Sequence, residues 1–445
     1  MGGGLLQLVA YGAQDVYLTG NPQITFFKVV YKRHTNFAME AIQQTFSGAV
    51  GFGNTIYCQI SRNGDLIHRA YLQVELPKIT QAGDKYVNYI GLRLLKSVSI
   101  EIGGQQIDKH YADWLYIWNE LSLPVGKRSA WEFMVGADSD VTKGGATLYI
   151  PLEFWFCRNI GLALPLIALQ YHEVKIKIEF ENMNNCLYTL DTSTTKKTIT
   201  PTSAKTLSNV NLWVDYIFLD TDERRKFAQL THEYLIEQLQ FTGGEAISAS
   251  TPTRVKLNFN HPCKELVWVG KYATNDNVNM WYNYTMKDDK SFGGAEYVYG
   301  SAISHNPKIH EFSEADNTNL TTFSTKIVYN VEPGFNNTAV NPFSKCLLQL
   351  NGNDRFAERD GTYFNYVQPY QHHTNIPANC GINVYSFALK PEDHQPSGTL
   401  NMSRIDTAVL SVVNGSSANG SIYIYAVNYN VLRILSGMGG LAYSN

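Results

Sequence analysis

Few residues in this chain that could do chemistry stand in company that would let them. A phosphate cradle needs glycines that turn a strand into a helix. The Gly48-Ala49-Val50-Gly51-Phe52-Gly53 run has its glycines in another order and leads into strand-like sequence, while Gly126-Lys127-Arg128-Ser129 lacks both the upstream glycine and a hydroxyl directly after the lysine. His372 and His373 are adjacent, so on an extended segment they would point to opposite faces and could not share a metal. His172-Glu173 and His232-Glu233 lack the second histidine of a zincin helix. Asp220 with Asp222, or Glu358 with Asp360, could supply the two carboxylates of a glycosidase. The first pair instead suits a helix cap, and the second lies among Arg355 and Arg359 as a surface ion-pair cluster would. No Gly-x-Ser-x-Gly elbow occurs. The chain therefore reads as a non-enzyme, with no catalytic residue, no cofactor and no metal site.

Six cysteines, Cys58, Cys157, Cys186, Cys263, Cys346 and Cys380, form no Cys-x-x-Cys pair. They read as buried small hydrophobes in a reducing compartment rather than a zinc site or disulfide scaffold. Asn-x-Ser/Thr sequons at Asn283, Asn319, Asn336, Asn401, Asn414 and Asn419 are candidate glycosylation acceptors, all in the second half of the chain.

The elements that would carry these residues are mostly strands. Val174, Ile176, Ile178 and Phe180 alternate with Lys175, Lys177, Glu179 and Glu181, the pattern of a strand with one buried and one wet face. Residues 56–62 and 65–76 flank Asn63-Gly64, which suggests a tight hairpin turn. Further short strands are expected at 97–102, 212–220, 257–260, 266–269, 345–350, 382–388, 408–413 and 422–432, a density that points to sandwiches or barrels. Two helices stand out. Residues 111–121 place Trp114, Leu115, Trp118 and Leu121 on one face, and residues 221–240 begin with Asp220 as cap and Glu223 three positions on. Three long connections, at 124–147, 182–209 and 274–342, suit an outer surface.

At 445 residues the chain is long enough for two domains. The capped helix near mid-chain is the natural connector between them. Charged residues are only 17% of the sequence, and 28 tyrosines help fill the gap, a mixture suited to a subunit that contacts many others. A net charge of -3 argues against direct nucleic-acid binding. No stretch is long and apolar enough to span a membrane. The first residues show neither a secretory signal nor a myristoylation motif.

Particular strings carry a resemblance. Residues 3–40, GGLLQLVAYGAQDVYLTGNPQITFFKVVYKRHTNFAME, are similar to the N-terminus of major capsid proteins of nucleocytoplasmic large DNA viruses, especially those of algal viruses. SRNGDLI at 61–67, LPLIALQYHEVKI at 164–176 and DYIFLDTDERRKFAQLTHEYLIEQLQ at 215–240 agree with that family. So do DRFAERDGTYFNYVQPYQHHT at 354–374, INVYSFALKPEDHQPSGTLNMSRID at 382–406 and the ending SGMGGLAYSN. The resemblance implies an all-β fold of two consecutive eight-stranded antiparallel jelly rolls with a few short helices. Residues 26–220 would form the first, 221–232 a connector and 233–445 the second with a C-terminal tail, while residues 1–25 would lie at the inner face of a shell. It further implies a homotrimer that forms a pseudo-hexagonal capsomer and packs against neighbouring capsomers and minor capsid and penton proteins in an icosahedral virion shell. That shell would overlie an internal membrane without spanning it, and would be made in the host cytoplasm. Two other readings fit the composition: a lectin-like sandwich and a jelly-roll glycosidase.

Overall fold

The computed structural model describes residues 3–80, 84–137, 144–190, 197–198, 206–207, 209–249, 251–273, 281–285, 341–416 and 418–443. Residues Met1–Phe37 form one unit and Ala38–Asn445 another. In the first, a short helix at Gly3–Val9 has no buried residue, and residues 20–36 form neither helix nor strand.

Among the described residues, sixteen strands make up two barrels, with a few shorter strands beside them. The first eight are β1 (Phe37–Gln44), β2 (Thr55–Gln59), β3 (Leu66–Glu75), β4 (Leu95–Ile102), β5 (Gln105–Tyr111), β6 (Thr147–Pro151), β7 (Val174–Phe180) and β8 (Val210–Leu219). They form two sheets ordered β1-β8-β3-β6 and β2-β7-β4-β5. The second eight are β9 (His232–Ile247), β10 (Pro252–Leu257), β11 (Pro262–Lys271), β12 (Phe343–Leu350), β13 (Asn353–Asp354), β14 (Asn383–Ser386), β15 (Ala408–Asn414) and β16 (Gly420–Leu435). Their sheets run β9-β16-β11-β14 and β10-β15-β12-β13. Both sets follow one rule: first, eighth, third and sixth strands in one sheet, second, seventh, fourth and fifth in the other. That is the antiparallel jelly roll, made twice.

Alternation sets the faces. Along β7 the residues from Val174 to Phe180 alternate strictly between buried and half-buried, as do those of β15. β11 breaks the rule, being buried almost throughout. Leu266 and Trp268 enter the core of their own barrel, while Val267 and Val269 join the core of the other. A sheet covered on both faces loses its polar side.

Helix α1 (Ala112–Ser122) follows β5 directly, and every residue from Ala112 to Leu121 is buried. Helix α2 (Val125–Val135) occupies part of the expected 124–147 connection. Helix α3 (Thr221–Gln229) has the expected cap, with the Glu223 N–H donating to Asp220 Oδ1 at 2.9 Å. It stops well short of residue 240, because β9 begins at His232 and puts Tyr234 opposite Leu432 in the sheet. Ladder pairing there overrides helical spacing.

Asn63-Gly64 does not close a hairpin, for β2 and β3 lie in different sheets. The glycine answers a different demand: a Cβ there would sit 3.0 Å from Tyr216 Cβ and 3.4 Å from the Ile217 carbonyl. Close approach, not turn geometry, requires it.

Candidate functional site: the seam between the barrels and the exposed arm

The described residues hold no group of three or more His, Cys, Asp or Glu side chains that could bind a metal. Several of their buried charged side chains instead pair where the two barrels meet. α1 is the wedge. Trp114 packs on Tyr425 at a ring distance of 5.5 Å. Asp113, the residue before it, also reaches the second barrel: its Oδ2 accepts from Lys271 Nζ at 2.7 Å and its Oδ1 from Tyr284 OH at 2.9 Å. At the far end of α1, Glu120 pairs with buried Arg128 of α2, whose Nε also donates to Glu132 at 2.9 Å. The other oxygen of Glu120 accepts from the Ala378 backbone of the second barrel at 3.3 Å. The Gly126-Lys127-Arg128-Ser129 string is thus helix, with Arg128 serving an internal ion pair.

A second cluster centres on Glu237 of β9. Its Oε2 accepts from Arg158 of the first barrel at 3.0 Å, its Oε1 from Lys264 of β11 at 2.7 Å, and His394 Nδ1 lies 3.8 Å away. Burial disfavours the charged carboxylate. The nearby His394 ring and the charges of Arg158 and Lys264 outweigh that, and hold Glu237 down at about 2. Backbone also crosses the seam. Asp108 Oδ1 accepts from the Leu239 N–H at 3.0 Å, Gln238 donates to the Ile107 carbonyl, and Tyr171 N–H donates to the Gly437 carbonyl at 3.0 Å.

His373 is a core histidine of the second barrel. Its Nε2 lies 2.9 Å from Glu265 and its Nδ1 2.9 Å from Glu392. Neutral imidazole has one N–H, so a ring facing carboxylates at both nitrogens must be the imidazolium. Burial pushes its pKa down, but the Glu265 charge and the hydrogen bonds to Glu265 and Glu392 prevail and raise it to about 9. His372, its neighbour, turns instead to the Leu389 carbonyl at 3.0 Å. The two histidines therefore have separate partners.

These shifts set a pH profile. His373, raised from 6.5, contributes stability that is complete below pH 6.5 and lost as pH rises through about 9. Glu132, lifted by burial to about 7 against the pull of Arg128, contributes below pH 4.5 and loses that contribution earlier, as pH rises through about 7. Glu237, lowered from 4.5, contributes above pH 4.5 and loses its effect as pH falls toward 2. Urea midpoints are expected to fall on both sides of the mildly acidic range, with His373 and Glu237 each worth on the order of 3 kcal/mol. His373→Gln should flatten the alkaline limb; an unchanged limb in that variant would refute the assignment.

The remaining sequence candidates have ordinary roles. Glu358 pairs with exposed Lys345 at 3.1 Å, and Asp360 accepts from the Thr362 N–H and hydroxyl. His232 contacts the Phe227 carbonyl at 2.8 Å and His172 the Gly439 carbonyl at 2.8 Å. All six cysteines are free thiols; burial pushes Cys58 and Cys157 up to about 12, which makes them poor nucleophiles. Among the sequons, Asn401 and Asn419 are exposed and Asn283 half-buried. Asn414 is fully buried, accepting from Tyr272 OH at 2.9 Å and donating to the Ala418 carbonyl at 3.0 Å. Asn319 and Asn336 lie outside the described residues.

Sequence reasoning missed the seam. Its signal was present: Lys264, Glu265 and Lys271 interrupt the otherwise apolar run of β11, and Asp113 and Glu120 lie on a helix with no wet face. Charge inside a doubly covered element needs a partner.

The other conspicuous feature is apolar exposure in the first 39 residues. Tyr17 is 92% exposed, Leu18 85% and Leu8 78%, and Phe26 and Phe27 are similarly uncovered. A folded chain rarely leaves so many large apolar groups uncovered in one stretch.

Comparison with known proteins agrees in order along the chain. Residues 25–220 match the family model described as major capsid protein N-terminus, and residues 223–440 that described as large eukaryotic DNA virus major capsid protein. The chain is 48% identical to the major capsid protein of Pyramimonas orientalis virus and 46% identical to that of Phaeocystis pouchetii virus, with all of both chains covered in each case. Among solved structures it is similar to PBCV-1 VP54, with a TM-score of 0.73 and 39% identity over 95% of this chain and 100% of that one. The Faustovirus major capsid protein shares the fold, with a TM-score of 0.69 over 96% of this chain and 94% of that one at 16% identity.

Proposed function

This chain belongs to the large eukaryotic DNA virus major capsid protein family, and from that premise we propose that it is a shell tile of which three copies close into a pseudo-hexagonal capsomer. Its role is structural: it is a virus capsid protein, like relatives that are capsid proteins and not enzymes. One observation carries the finer reading. Two barrels of identical strand order are fixed to each other by a buried seam, so each chain is a rigid pair and three chains present six like barrels. Threefold closure of such pairs gives a defined ring rather than a fibre.

In this reading residues 26–220 and 233–445 are the two tiles, 221–232 joins them, and residues 1–25 face inward to minor capsid and penton proteins. The 182–209 and 274–342 connections, the first in part and the second mostly outside the described residues, face outward. Neighbouring capsomers meet along the barrel flanks, direct nucleic-acid binding plays no part, and assembly takes place in the host cytoplasm. Among the described residues no helix is long and apolar enough to cross a membrane. Exposed Asn401 and Asn419 are the glycan acceptors kept; a virion-derived chain with the mass of the bare sequence would withdraw them.

The test is the shape of the purified particle. Negative-stain averages are expected to show a roughly hexagonal outline with threefold symmetry, and a field of single two-barrel particles would reject the capsomer.

A further inference from the structure

We propose that residues 24–34 dock on an anionic lipid bilayer surface. The segment reads Ile-Thr-Phe-Phe-Lys-Val-Val-Tyr-Lys-Arg-His. Phe26 is 90% exposed, Phe27 98% and Val29 86%, and Ile24, Val30 and Tyr31 are also exposed. Lys28, Lys32 and Arg33 are interleaved with them and are exposed as well. No carboxylate occurs between Asp15 and Glu40, within a chain whose net charge is -3. The stretch is therefore a local cationic, aromatic-rich strip on an acidic protein.

Each part of that chemistry matches a lipid interface. Aromatic rings settle at the headgroup level, aliphatic side chains enter the acyl boundary, and cations are drawn to acidic headgroups. The backbone sets the depth. These residues form neither helix nor strand, so their N–H and C=O groups need water, which the interface offers and the hydrocarbon core does not. Nucleic acid fits less well. It could use the cations and stack on the rings, but it offers nothing to Ile24, Val29 and Val30.

The experiment is flotation of the full-length chain with vesicles of phosphatidylcholine, with or without phosphatidylserine. Binding is expected only to the serine-containing vesicles and should weaken with added salt. Combining Lys28→Glu, Lys32→Glu and Arg33→Glu should lower it on the order of a hundredfold, and Phe26→Ser with Phe27→Ser about tenfold. No binding, equal binding to both vesicle types, or indifference to the charge reversals would overturn the proposal. So would tight binding of single-stranded oligonucleotide without vesicle binding, or loss of vesicle binding only through self-association of the arm. Native mass measured on the same samples separates this outcome from the capsomer reading, since an unaltered mass with lost flotation concerns lipid alone.

Discussion

Replacing Glu237 by alanine is expected to cost about 3–5 kcal/mol of unfolding free energy, as when one partner is removed from a buried charge cluster. Its two strongest partners have little else. The Lys264 side chain is 1% exposed, and its remaining polar contact is the Asp393 carbonyl at 3.1 Å. Arg158 keeps the Glu153 carbonyl and the ring of Trp118. The truncation therefore strands two cations away from water at the junction of the barrels. Lys345→Ala is the control, because that lysine and Glu358 are each about half exposed and such pairs contribute about 1 kcal/mol or less. Urea unfolding of the two variants side by side decides the matter. Equal losses would mean that the seam charges are spectators and that apolar packing alone joins the barrels.

Removing residues 1–25 should have the opposite signature: no loss of fold, and a shell that does not form. The Gly3–Val9 helix buries nothing, and Leu6, Leu8, Tyr17 and Leu18 are all more than half exposed. No core residue lies in the deleted segment, so the unfolding midpoint and native mass should match the full chain. Apolar groups held in water are costly until a partner covers them, which makes the segment an assembly element. Co-expression with the other shell proteins, followed by sedimentation, should recover capsomers but no shells. An aggregated or unfolded deletion product would refute this division of labour. The same deletion leaves Phe26 to Arg33 in place, so it should retain binding to phosphatidylserine vesicles.

What could be seen in the sequence depended on how local its cause was. The alternation from Val174 to Phe180 and the Asp220 cap are written within a few residues, and both stand as expected. The start of α1 was readable for the same reason, though its burial on all sides was not: a helix wedged between two barrels shows its second face only once both are built. Helical spacing around Tyr234 misled because β16, nearly two hundred residues away, supplies the ladder that decides that segment. Asn63-Gly64 misled in the same manner, since Tyr216 fixes the glycine from a distant strand.

The site was less legible than the fold. Nothing near His373 in sequence announces Glu265, and Glu237 gives no hint of Arg158. Ion pairs that join separate barrels are long-range by construction. The only local sign is a charge placed where the periodicity demands an apolar residue, as at Lys264 and Lys271.

The central claim is that this two-barrel chain works by closing with two copies of itself. Light scattering of the purified protein at physiological salt measures it directly. Three chains of 50.0 kDa predict a native mass near ~150 kDa, the closed ring of like subunits, unchanged on dilution. A clean monomer of 50.0 kDa at high concentration would leave the fold intact and contradict the capsomer.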